Sequence, residues 1–146
     1  MNSQSPHGGV ARFSVSMKTE LLELLDEMVR EKGYNNRSLA IADMISDQLV
    51  HHRLECGDVE GAGTVTLVYD HHTHHVQEAL THIQHDYGES IISTLHVHLD
   101  HHNCLEVLVL RGRVASLKAL ADRLIGVKGV KHGRLSLTTT GKDIPA

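Results

Sequence analysis

Aromatic side chains are scarce in this chain: 3% of 146 residues, with three Tyr, one Phe and no Trp. That disfavours a stacking platform for single-stranded nucleic acid, which needs flat faces at intervals. Proline numbers two and the apolar fraction is an ordinary 40%, so collagen-like, mucin-like and low-complexity disordered classes do not fit. Basic residues are not in excess. The formal net charge is −4, and no bulk positive field advertises nucleic acid or a membrane surface. No run of 18 apolar residues occurs, so no transmembrane helix is expected, and Met1 to Val10 lacks the apolar core of a signal peptide. The two cysteines, Cys56 and Cys104, form no Cys-x-x-Cys unit. Free thiols in a reducing cytoplasm are expected rather than a disulfide framework.

What the chain has in abundance is histidine, 14 residues, which points first to metal. The length allows one ordinary domain or two small ones.

The first fifty residues read as strand, helix, helix. Arg12, Ser14 and Ser16 alternate with Ala11, Phe13, Val15 and Met17, the period of a half-buried strand. Leu21, Leu22, Leu25, Met28 and Val29 then fall on one helical stripe, which Gly33 stops. Asn35, Asn36 and Ser38 offer side-chain oxygens to start a second helix, with Ile41, Ala42, Ile45 and Leu49 on its apolar face. Such a unit is too small to bury a core alone. The simplest solution pairs the strands of two chains antiparallel over four helices, a ribbon-helix-helix (βαα) dimer whose ribbon fits a DNA major groove. Arg12, Ser14 and Ser16 would face the bases, although the solvated face of an edge strand shows the same alternation. The amides near Asn36 and Arg37 are placed for phosphate. The charge of this region argues for weak non-specific affinity, since five Lys and Arg stand against seven acids in residues 1–50.

Residues 51–63, with Gly57, Gly61 and Gly63, read as a linker. Beyond it the pattern predicts strands over 64–69, 91–99, 104–110 and 130–137 and helices over 76–85 and 114–125. The order βαββαβ is that of a ferredoxin-like sheet. The fold class is therefore α+β. The domains are 10–50, DNA-binding, and 64–138, joined by 51–63.

Many histidines, among them His71, His72, His74, His75, His101 and His102, crowd expected loops, where exposure alone accounts for them. The segment Thr94-Leu95-His96-Val97-His98 differs, because alternation puts both imidazoles on one face. If the strand that follows pairs symmetrically, Cys104 lies opposite His98 and Glu106 opposite His96. Facing positions are about 5 Å apart, close enough for two imidazoles and a thiolate to share an ion. A fourth position is left for water, as in a catalytic zinc site, or for a residue such as His85 from a neighbouring subunit. The donors suit tetrahedral zinc as well as tetragonal nickel(II) or copper(II).

Four segments in order, Gly33-Tyr34-Asn35-Asn36-Arg37-Ser38, Thr94-Leu95-His96-Val97-His98, Cys104-Leu105-Glu106-Val107 and Gly129-Val130-Lys131-His132-Gly133, resemble the nickel-responsive NikR repressors. The resemblance runs from Arg12 to about Leu137. It implies a ribbon-helix-helix domain joined to an ACT-like regulatory domain, assembled as a homotetramer, with no membrane partner. It also implies one nickel(II) per subunit, held by His96, His98, Cys104 and a neighbouring subunit's His85. Tyr69, His71 and Glu106 would lie around the ligands, and Arg12, Ser14 and Ser16 would read a palindromic double-stranded operator. Asp43 matches one position of a second cation site, where Leu39 replaces the other. The implied function is nickel-dependent repression, most simply of nickel uptake genes. The competing readings are a zinc hydrolase with Glu106 as base, a metal-independent ACT-type regulator sensing an amino acid, and a nickel buffer.

Overall fold

The computed structural model describes residues 9–55 and 58–142. The chain divides into two compact units, residues 1–44 and 45–146.

In the first unit, residues 9–18 are neither helix nor strand within the single chain, and the strand expected over 11–17 needs a second chain as its partner. A strand exists through its ladder of hydrogen bonds, and local alternation alone cannot supply one. Phe13 and Val15 are 72% and 63% exposed. Helix α1 spans Thr19–Glu31, with Glu20 in its first turn where the helix dipole favours an acid. It ends as expected at Gly33, whose φ of 72° lets the Gly33 and Tyr34 amides turn back to the carbonyls of Arg30 and Val29. Helix α2 spans Arg37–Glu55, and the Asn36 side chain accepts the Leu39 N–H at 2.9 Å as its cap.

The stretch read as a linker is mostly regular structure. Helix α2 continues to Glu55, and strand β1, Glu60–Asp70, begins four residues earlier than expected. Cys56 and Gly57 lie outside the described residues. The glycines that suggested flexibility mark close approaches instead. A Cβ on Gly63 would lie 2.2 Å from the Ser136 carbonyl, and one on Gly61 would lie 2.9 Å from Val114.

The rest of the second unit is α3 (Val76–Asp86), a 3-10 turn (Gly88–Ser90), β2 (Ile91–His98), β3 (Asn103–Arg113), α4 (Val114–Ile125) and β4 (Val130–Thr139). The strands form one antiparallel sheet in the order β2-β3-β1-β4. Alternate residues Val65, Leu67 and Tyr69 of β1 and Cys104, Leu108 and Leu110 of β3 are buried. They pack in one cluster with Val76, Leu80 and Ile83 of α3 and Leu117, Leu120 and Leu124 of α4. Each full burial of such an aliphatic side chain contributes about 1.5–3 kcal/mol. The expected βαββαβ order is present, and only element ends differ.

The β2–β3 hairpin pairs His98 with Cys104 and His96 with Glu106, the register the symmetric reading expects. Its turn is built on Asp100, whose carboxylate accepts the His102 and Asn103 amides and the Asn103 side chain, each at 2.8 Å. These bonds hold the Asp100 carboxyl down to about 2, with the Asn103 side chain the largest cause. A depressed carboxylate adds stability above its unfolded pKa of about 3.9, and that contribution is lost as pH falls toward its folded value. Asp100→Ala is therefore expected to melt at a lower temperature than the parent at pH 7. The gap should close as pH is lowered from 4 to 2. A gap unchanged at pH 2 would show that the turn draws its strength from something other than this carboxylate.

Candidate metal centre

Three elements converge at the turn end of the hairpin. Tyr69, near the end of β1, pairs with Cys104 in β3, so the chain leaving β1 passes directly beside the cysteine. The His71 amide donates to the His102 carbonyl, fastening that exit to the β2–β3 turn. His71 Nδ1 then lies 3.3 Å from Cys104 Sγ, and His98 Nδ1 lies 3.4 Å from the same sulfur. His71, His98 and Cys104 are the one group among the described residues whose donor atoms all lie within 4.8 Å of each other. Two imidazoles and a thiol around one point fit nickel(II), copper(II) or zinc, whereas an oxygen-seeking cation would find no carboxylate in the set.

The electrostatics prepare the donors unequally. Burial pushes the Cys104 thiol above its ordinary range, and Glu106, Asp100 and Asp70 push the same way. Burial holds the His71 imidazole below its ordinary value, with His72 and His98 adding to the effect and Asp70 opposing it. His71 is thus ready as a neutral ligand, while Cys104 must surrender a proton to bind metal.

A second polar group adjoins the first. The Tyr69 hydroxyl donates to Glu106 Oε2 at 2.8 Å and lies 3.2 Å from His96 Nδ1. Gln84 Nε2, from α3, donates to Glu106 Oε1 at 2.6 Å. Burial raises the Tyr69 hydroxyl well above its usual range, and the bond to Glu106 raises it further. Glu106 is buried with both oxygens engaged, an arrangement unlike the free carboxylate a hydrolytic base would need.

The expected ligands are therefore only partly assembled within one chain. His98 and Cys104 meet. His96 shares their face, with its ring centre 5.1 Å from that of His98, but its Nδ1 is turned to Tyr69. His71, expected beside the ligands, touches the sulfur directly. The reason is the β1–β3 register, a contact spanning more than thirty residues that local alternation does not reveal. His85 is exposed at the end of α3, on a shallow cleft with Thr81, Gln84, Gly88 and Ile91, and is not in the cluster. Gln84 was not expected at all. It follows Leu80 by one helical turn, so a polar residue on the apolar stripe of α3 was the available signal.

In the first unit, Arg12, Ser14 and Ser16 lie on the exposed segment before α1. Asn36 is used as the α2 cap, and Arg37 is held bidentately by Asp26, at 2.5 and 2.7 Å. Asp43 accepts the Tyr34 hydroxyl, so one of its oxygens is already occupied. Of the other histidines, His75 pairs with Glu78 at 2.9 Å and His72 Nε2 lies 3.0 Å from the His101 carbonyl.

A family model described as the NikR C terminal nickel binding domain matches residues 62–138, which contain the whole cluster. The chain belongs to the NikR family. Relatives bearing the name "Putative nickel-responsive regulator" occur in Geobacter sulfurreducens, 56% identical over 137 residues, and in Pyrococcus furiosus, 53% identical over 136. The first match covers 94% of this chain and 99% of the relative, the second 93% and 99%. A third, from Solibacter usitatus, is 54% identical over 93% of this chain and 98% of its own length. NikR proteins are regulators and not enzymes, which sets the hydrolase reading aside.

Since a NikR thiol in this setting starts protonated, nickel(II) held at Cys104 would compete with a proton for the sulfur. Apparent affinity is expected to rise about tenfold per pH unit below the thiol's pKa, beyond any contribution from imidazoles. Cys104→Ser is expected to abolish the sulfur-to-nickel absorption band and flatten that dependence. Both are read in one set of absorption titrations. A band surviving in the variant would move the metal off this sulfur.

Proposed function

We propose that this chain is a nickel(II)-dependent repressor that binds double-stranded DNA, acting most simply on genes for nickel uptake. The convergence of His71, His98 and Cys104 beside His96 supports it most directly. These are nitrogen and sulfur donors on a sheet whose edge strand β2 carries exposed apolar side chains on its other face, with Leu95 at 61% and Val97 at 39%. One nickel(II) per subunit is held by His96, His98 and Cys104 with His85 of the partner subunit, as the resemblance implies. His71 touches the sulfur before metal arrives, and Tyr69 and Glu106 steady His96. When bound, the cation supplies a cross-link between subunits.

The domain arrangement in this reading is 10–50 for DNA and 64–138 for metal and assembly. Two copies pair their 11–17 segments as a ribbon, covering Phe13, Val15 and Met17 and presenting Arg12, Ser14 and Ser16 to a major groove. Asn36 and Arg37 flank the phosphates. Two such dimers on one homotetrameric core match a palindromic operator in the cytoplasm. Cross-subunit ligation favours the quaternary arrangement in which both ribbons reach their half-sites, a shift of population rather than a new contact with DNA. The second cation has weak support, because Leu39 offers no ligand and Asp43 is engaged by Tyr34.

The deciding experiment measures operator binding at fixed salt with and without nickel(II), using upstream DNA of a nickel transporter gene. The parent is expected to bind at least tenfold more tightly with nickel, whereas Cys104→Ala and His96→Ala should bind equally weakly in both conditions. Nickel-independent binding by the parent would favour an amino-acid-sensing regulator, and tight nickel binding without DNA affinity would favour a buffer.

A further inference from the structure

Glu106 is 6% exposed, yet both of its oxygens are committed, one to Gln84 and the other to Tyr69. An ionised carboxylate only accepts and an amide nitrogen only donates, so the direction of each bond is fixed. A phenol carries a single proton. With that proton given to Glu106, the Tyr69 oxygen can only accept from His96 Nδ1, 3.2 Å away. His96 Nδ1 also lies 3.7 Å from Glu106 Oε2, and a proton on that nitrogen is favoured by the carboxylate's charge.

We infer that this run of hydrogen bonds holds metal-free His96 as the Nδ1–H tautomer, with Nε2 bare for a metal, that the Glu106 carboxylate sets its direction, and that Gln84 is the positioning residue that holds the carboxylate in place. The chemistry is that of an outer partner fixing a ligand imidazole. Here the anchor sits two side chains away, on α3, one residue before His85. The inference rests on the reading of His96 as a ligand, but its main readout needs no metal.

Substitution at position 106 exposes the role of Gln84. In Glu106→Gln, with Gln84 donating as it does in the parent, the new amide accepts with its oxygen and turns its own NH2 toward Tyr69. The phenol can then no longer donate there, so it donates its hydrogen bond to His96 Nδ1 instead, and the neutral ring carries its one proton on Nε2. Replacing Gln84 by Leu as well removes the group that orients the amide, and both directions become available.

The test is ¹⁵N NMR of the histidine rings in the metal-free full chain, at about pH 8 where imidazoles are neutral. The expected pattern is an Nδ1–H ring at His96 in the parent, inversion to Nε2–H in Glu106→Gln, and a mixture in Glu106→Gln with Gln84→Leu. Nickel affinity should fall about 10- to 100-fold in Glu106→Gln. A parent ring protonated at Nε2 overturns the inference. So does a tautomer indifferent to Glu106→Gln, or one indifferent to Gln84→Leu when that change is added to Glu106→Gln. If Glu106→Gln does not fold, the parent spectrum and that of Tyr69→Phe decide. Tyr69→Phe removes the oxygen that accepts from His96 Nδ1 and should raise the Nε2–H population, and an unchanged ratio overturns the inference. The expected tautomers without nickel binding would sink the metal reading alone, and nickel binding with the wrong tautomers would sink this inference alone.

Discussion

The antiparallel register that sets His98 against Cys104 is the constraint on which the site depends. Strand side chains alternate between faces, so this one pairing puts His96, His98, Cys104 and Glu106 on the same side of the sheet. That side is also the one covered by helices, which is why Cys104 and Glu106 are buried and why Gln84 of α3 can reach the carboxylate. The Asp100 turn fixes the register from one end. The β1–β3 ladder fixes it from the other side of β3 and delivers His71 to the sulfur as a by-product of pairing Tyr69 with Cys104. Position, burial and the thiol's reluctance to ionise all follow from the same ladder.

The polar cluster beneath the ligands stands because each member is satisfied. A buried carboxylate without partners would cost several kcal/mol. Glu106 avoids that cost with two donors from different elements, Tyr69 of β1 and Gln84 of α3, so the network also locks α3 to the sheet. The first unit uses polar contacts in the same manner. Arg37 is clamped by Asp26 and Tyr34 is bonded to Asp43, so charged side chains that a DNA-binding surface could have left open instead hold the two helices in place.

Much of this was legible along the chain where the information is local. Alternation at His96 and His98, a short turn and Cys104 on the returning strand were enough to read the register. Gly33 and Asn36 marked the end of one helix and the start of the next by their conformational and capping chemistry. What was not legible depends on partners distant in sequence. The glycines at 61 and 63 look like a flexible linker until Val114 and Ser136 are seen pressing against them. His71 looks like one loop histidine among several until β1 is laid beside β3. The 11–17 segment has strand alternation but draws no ladder from its own chain, so its pattern alone did not make it a strand.

The spacing between His98 and Cys104 has a parity. One extra residue in the turn can be absorbed only by opening the carboxylate-bonded loop at Asp100, which frees the hairpin's end. Otherwise β3 slips by one, and Cys104 moves to the far face while Asn103 takes its place among the imidazoles. A change of two restores the face but shifts the sulfur along the strand by roughly 7 Å, at about 3.4 Å per residue, beyond reach of His71. The length of this turn is therefore as much a part of the donor set as the residues that carry the nitrogen and sulfur.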